Sequence, residues 1–196
     1  MASNIEIQIE RSLTNTPTSL LYGEPAWDDA NEKLYVGNSS GTPVLINPGG
    51  DCAILQTNEG SDDTINYNQV ADTRVTFSTV VQVDADFTWS IPNNQLTCNF
   101  DGKVIAGYHI VTTSTGNRNS VNVRLIRQGV STTEQYCESY TYIRNNGGHT
   151  RDAVSCGLII DVQDGDTLEV SIRRHGNNTA ATNLTDRCEF FARRLN

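Results

Sequence analysis

Lysine is almost missing from this chain of 196 residues, with two copies against twelve arginines. Methionine occurs once, and aromatic residues make up 7% of the chain. Strong helix formers are sparse throughout, which argues against a helical architecture. Positive charge is also short: 14 basic residues face 23 acidic ones, a net charge of −9. A nucleic-acid binder that relies on a basic face is therefore excluded. No apolar run approaches the ~18 residues of a membrane span, so no membrane partner is expected. The first fifteen residues, MASNIEIQIERSLTN, lack the basic patch and apolar stretch of a secretory signal. There is no C-x-x-C pair, no G-x-S-x-G elbow and no phosphate-binding loop.

Small polar residues are abundant. Ser, Thr and Asn account for 56 positions, with 15 glycines beside them. Thr, Val and Ile favour strands, while Asn, Ser and Gly favour turns. The composition is that of an all-β protein.

The charge divides unevenly. Residues 1–100 hold three bases and thirteen acids, and residues 101–196 hold eleven bases and ten acids. Such a step often marks parts with different surroundings. The hydropathy pattern gives three segments: an N-terminal arm over 1–50, a polar Gly/Asn/Asp-rich linker over 51–71, and a head over 72–196. In the arm, Ile5–Ile9 alternates as a short strand, Thr16–Leu21 suggests a helical turn, and Gly23–Trp27 with Lys33–Gly37 reads as a hairpin. Trp27 and Tyr35 are expected to pack across it. In the head, Val75 to Val83 alternate on one face, and Lys103–Thr113 is apolar on both faces, as a central strand is. Tyr136, Tyr140 and Tyr142 share a parity, which places them on one face. Turns are expected at Pro92-Asn93-Asn94 and Asp164-Gly165-Asp166. About eight strands at 8–14-residue spacing predict a β-sandwich or jelly roll.

The chemistry-bearing residues form no catalytic set. His109, His149 and His175 are not at metal-ligand spacing. His109 falls mid-strand and reads as a packed or interface residue. Asp84 with Asp86, and Asp161 with Asp164 and Asp166, sit near turns, where turn chemistry accounts for them as well as Ca²⁺ ligation would. The five cysteines, at 52, 98, 137, 156 and 188, read as buried free thiols of a reducing compartment. Their spacings leave one or two disulfides open without pairing them. The ten arginines of the C-terminal half suit either surface charge or pairing across an interface. The Asn-x-Ser/Thr triplets at 38, 177 and 183 are expected by chance in such a chain.

Two stretches carry resemblances. Gly102–Ile110 (GKVIAGYHI), Val121–Gly129 (VNVRLIRQG), Leu158–Val170 (LIIDVQDGDTLEV) and Cys188–Ala192 (CEFFA) follow in an order that resembles the head domain shared by the complement globular-head and tumour necrosis factor families. The chain departs from that pattern at Ala192-Arg193-Arg194, where an aromatic is common. The resemblance implies a jelly roll assembled as a homotrimer about a threefold axis, and Tyr108, Tyr136, Tyr140 and Tyr142 are the expected interface residues. The second stretch, Leu20–Trp27 (LLYGEPAW) followed by Lys33–Asn38 (KLYVGN), resembles an N-terminal module of tailed-phage virion proteins, including tail fibres and tropism determinants. It implies attachment to a virion, with Leu21, Tyr22, Trp27 and Tyr35 as the anchoring residues.

The sequence thus reads as a non-enzymatic virion structural protein with no cofactor and no metal. It is expected to be a homotrimeric capsid decoration or head-fibre protein, held through its N-terminal arm to the major capsid protein or other virion proteins, with the jelly roll projecting. The competing reading is a receptor-binding tail protein that recognises a host surface glycan.

Overall fold

A computed structural model of the chain describes residues 10–12, 18–28, 33–46, 51–57, 65–129, 132–145 and 148–195. The expected strand over 5–9 and the start of the expected helical turn lie outside these. All regular structure among the described residues is β, in sixteen strands. The chain forms two compact units, residues 1–50 and 51–196.

The first unit is a four-stranded sheet ordered β1 (Glu10–Ser12), β2 (Pro25–Asp28), β3 (Lys33–Gly37), β4 (Pro43–Ile46). The expected hairpin is present as antiparallel β2 and β3. Its register differs from expectation: Trp27 stands opposite Leu34 and Tyr35 opposite Ala26. The two aromatics are therefore not cross-strand partners. Gly37 is needed at its position, because a Cβ there would run into the Leu21 backbone, whose neighbour Tyr22 bridges to Gly37.

The second unit is a sandwich of two sheets. One runs β13 (Arg151–Val162), β10 (Gly102–Ser114), β16 (Glu189–Leu195), β5 (Cys52–Gln56), β7 (Thr79–Val83), with β15 (Thr182–Leu184) paired to β10. We call it the first sheet. The other, the second sheet, runs β12 (Thr133–Arg144), β11 (Asn117–Gln128), β14 (Thr167–His175), β9 (Gln95–Cys98), β8 (Phe87–Ser90), with β6 (Thr73–Arg74) paired to β14. Every pairing in both sheets is antiparallel. As its two apolar faces predict, β10 is central, flanked by β13 and β16.

The inward alternation makes the core. Val104, Ala106, Tyr108 and Ile110 of β10 meet Val121, Val123 and Leu125 of β11 and Leu168, Val170 and Ile172 of β14, all at 0–1% exposure. Phe77 joins Phe190 and Trp89 across the middle, at centroid separations of 5.8 and 6.3 Å. Each large apolar side chain so buried contributes about 1.5–3 kcal/mol.

Three expectations need correction. First, the described residues of 51–71, which are 51–57 and 65–71, are part of the sandwich and not a linker. Cys52–Gln56 is β5, an interior strand between β16 and β7, and Ala53 and Leu55 are fully buried. Tyr67 and Asn68 are fully buried as well. Second, the alternation from 73 to 83 is not one strand. It begins as β6 in the second sheet, crosses through buried Val75 and Phe77, and resumes as β7 in the first. Third, Cys137 and Cys156 are not free thiols. A disulfide joins β12 to β13, the outermost strands of the two sheets, and so ties the sandwich shut at one edge.

Cys52, Cys98 and Cys188 are in no disulfide, and the last two are buried. Burial, reinforced by the Asp166 carboxylate and partly offset by Arg127, pushes the Cys98 thiol from 9.0 up to about 12. The folded chain therefore keeps this proton at a pH where the unfolded chain has lost it. The resulting stabilisation is complete below pH 9 and is lost as pH rises toward 12, by about 3 kcal/mol at about pH 11. Urea unfolding of wild type and Cys98→Ala at about pH 8 and about pH 11 should show the larger alkaline loss in wild type. Equal losses would contradict this.

Candidate functional site

The expected interface tyrosines do not lie together. Tyr108 is in the chain's own core, and its hydroxyl lies between the Val123 and Cys137 carbonyl oxygens, at 2.9 and 2.6 Å, with its one proton shared between them. That removes it from any intersubunit surface. The other three are split by a β-bulge. Val123 pairs with Ser139 and Leu125 with Tyr136, so Cys137 and Glu138 together face Arg124. Cys137 takes a left-handed conformation there, with φ at +51°. One extra residue reverses the facing of everything beyond it. Tyr136 packs against the core and donates to Glu134. Tyr140 and Tyr142 come out on the opposite face, about half exposed. The bulge also leaves the Cys137 sulfur bonded to Cys156, whose register partner is Tyr108.

The carboxylates near turns serve the fold. Asp84 accepts from the Cys52 amide, Asp86 pairs with Arg194 and Asp161 with Lys103. Asp166 is fully buried and takes Arg127 Nε at 2.6 Å and the Gln163 amide at 2.8 Å. No group of three or more metal-ligating side chains occurs among the described residues. Several arginines expected at the surface or an interface are matched within the chain. Arg151 pairs with Asp186, and Arg194 also lies over the Phe100 ring at 4.6 Å. His109 is exposed and shares a 2.7 Å hydrogen bond with Ser155.

Of the expected anchoring residues, Leu21 and Tyr22 are 76% and 80% exposed, where Tyr22 bridges to Gly37 at the end of β3. Tyr35 is half-buried. Trp27 is placed by its backbone register alone.

Two surfaces of the sandwich stand out. The first is the outward face of the first sheet. Ile159 and Ile105 are register partners, and Phe191 is the partner of both Gly107 and Ile54. None of these apolar side chains belongs to the core. Gly107 and Gly157 face each other, and the Phe191 ring lies over both. A Cβ at Gly107 would strike that ring and the Cys156 carbonyl. The two glycines thus let an aromatic ring lie across the sheet, in an apolar patch bordered by the Lys103–Asp161 pair on one side and by His109 and Ser155 on the other.

The second surface is the outer face of the second sheet, which spacing alone assigns to solvent. There Asn122 and Arg124 of β11 and Ser171 of β14 are at 0–1% exposure. Arg124 pairs with Asp72 and donates to Gln135 Oε1 at 2.6 Å. Burial, together with neighbouring Arg173, lowers its pKa from the ordinary guanidinium value. Asn122 has Tyr140 as register partner on one side and Arg173 on the other. Neither its Oδ1 nor its Nδ2 finds a hydrogen-bond partner among the described residues. A cavity of about 470 Å³ opens above it. Burial, reinforced by Glu138, raises the Tyr140 phenol above its ordinary value.

The strand order of the two sheets defines a jelly-roll sandwich, and the comparisons agree. The globular domain of zebrafish complement 1qA superposes with a TM-score of 0.53 at 17% identity, over 75% of this chain and 98% of that one. The Eiger tumour necrosis factor of S. frugiperda superposes with a TM-score of 0.57 at 9% identity, over 76% and 94%. At these identities the likeness is one of fold. No protein-family model and no curated protein matches the sequence.

Proposed function

We propose that this chain is a non-enzymatic structural protein of a tailed-phage virion, a capsid decoration or head-fibre protein. It assembles as a homotrimer through the outward face of the first sheet and attaches through residues 1–50. The observation that carries the reading is the apolar patch of Ile54, Ile105, Ile159 and Phe191, beside the glycine pair, on the outward face of the first sheet. A Phe ring laid across two glycines gains little in water and much against a second chain, because burying apolar area is favourable by about 25 cal/mol per Å². The complement-head and tumour-necrosis-factor jelly roll supports assembly about a threefold axis. The glycine, Leu-Leu-Tyr and Lys-Leu-Tyr-Val-Gly pattern of the first unit supports attachment to a virion, and exposed Leu21 and Tyr22 supply apolar anchors. Three arms acting together would add avidity to modest single contacts.

The test uses particles that lack the protein. Tyr22→Ala and Trp27→Ala should each weaken rebinding, because an aromatic anchor contributes at least about 2 kcal/mol, or about thirtyfold per site. Occupancy after purification is the readout, with the assembly state of each variant checked in parallel. Wild-type occupancy by both variants would move the anchor elsewhere.

A further inference from the structure

From the unpartnered Asn122 amide and the side chains around it, we infer that the outer face of the second sheet is a binding site for a neutral pyranose, one site per head. The site goes beyond the assembly and attachment functions, and it lies within a single chain.

Four features converge on this chemistry. The floor is Asn122, 1% exposed, with a carbonyl acceptor and an amide donor both unused. A buried amide in this state is costly, and a ligand that supplies both a donor and an acceptor relieves the cost. Glu138 and Arg173 flank it as a second acceptor and a second donor. They stand 3.9 Å apart as an ion pair, each about half exposed, and Glu138 also hydrogen-bonds the Tyr140 side chain, so the three polar groups rim the opening together. One wall is the Tyr140 ring, braced edge-on by His175 at a centroid distance of 4.5 Å. The opening, about 470 Å³, is bounded by Val70 and the turn at Gly176-Asn177, and falls within the ~300–1,000 Å³ range of small-ligand clefts.

The mix of groups selects the ligand. An anion would want donors alone; of the two arginines that line the cavity, Arg174 is committed to Asn68, and the Glu138 carboxylate beside Asn122 opposes an anion at Arg173. A cation would want carboxylates without Arg173. Vicinal hydroxyls each donate and accept one hydrogen bond, as the paired donors and acceptors of Asn122, Glu138 and Arg173 require. The C–H face of a pyranose fits the exposed ring of Tyr140. The register explains why these groups meet. Tyr140, Asn122 and Arg173 form one cross-strand row over β12, β11 and β14, and the bulge at Cys137-Glu138 places Tyr140 in that row.

The experiment is saturation-transfer NMR on the full chain. The probes are the methyl glycosides of glucose, galactose, mannose and N-acetylglucosamine, with N-acetylneuraminic acid and inorganic sulfate as anionic controls. At least one neutral glycoside should bind with millimolar affinity, its ring C–H protons receiving most of the transfer. Tyr140→Ala, an exposed position that should leave the fold intact, should weaken binding at least about tenfold, and so should Asn122→Ala. Circular dichroism and sedimentation of each variant separate loss of the site from loss of fold or assembly. Transfer to none of the neutral glycosides would overturn the inference. So would binding confined to the anionic probes, or neutral-glycoside binding that Tyr140→Ala leaves unchanged.

Discussion

Removing residues 1–50 is expected to leave a folded chain, whereas removing residues 1–70 is expected to abolish folding. The difference is twenty residues that look dispensable by composition. They include β5, which pairs with β16 over five residues and with β7 on its other side. Without it β16 gains a raw edge and β7 loses its partner. Leu55 and Tyr67 leave the core, at about 1.5–3 kcal/mol each. The polar cluster at the end of the sandwich also fails. Asn68 donates to Asn119 and to the carbonyls of Asn178 and Ala180, and Arg174 donates to Asn68. Asn119 is 1% exposed and would lose its carbonyl-side partner. The sum is comparable to the ~5–15 kcal/mol by which whole domains are stable. Thermal melts followed by circular dichroism should show a cooperative transition for the shorter deletion and none for the longer. A cooperative melt of the chain that begins at residue 71 would restore 51–71 as a linker.

The second large effect concerns assembly. Ile159→Arg should dissociate the proposed trimer while each chain stays folded. Ile159 is 57% exposed in the isolated chain, so the fold does not depend on it. Across a trimer the substitution would bury three unpaired guanidinium groups in an apolar face. An unpaired buried charge costs about 2–5 kcal/mol, enough at three copies to move association by orders of magnitude. Tyr142→Arg is the matched control. The bulge puts Tyr142 on the face opposite the core from Ile159, so this change should leave assembly alone.

Most of the sandwich was legible because inward alternation is strict where both sheets close on the core. Val104–Ile110, Val121–Leu125 and Leu168–Ile172 are read correctly from their spacing, and so are the turns at 92–94 and 164–166. What escaped has identifiable causes. A single bulge residue reverses parity without leaving a mark in composition, so the tyrosine row at 136, 140 and 142 was illusory. Strand β5 is five residues long between polar flanks, and only Ala53 and Leu55 point inward. The Cys137–Cys156 pair depends on which strands become sheet edges, a property of topology rather than of spacing. The Asn122 site was hidden for a related reason. Polar residues at outward positions read as solvated, yet Asn122 is buried between its register partners Tyr140, on the next strand, and Arg173, on β14, far along the chain. The aromatic of this site, Tyr140, lies on a strand rather than in a loop.

Sedimentation equilibrium of the purified full-length chain, beside Ile159→Arg and Tyr142→Arg, tests the central claim of assembly through the first sheet. Wild type and Tyr142→Arg should sediment at three times 21.5 kDa, and Ile159→Arg at 21.5 kDa with an unchanged β-sheet spectrum. A wild-type chain that remains monomeric at micromolar concentration, or an Ile159→Arg chain that remains trimeric, would contradict the account.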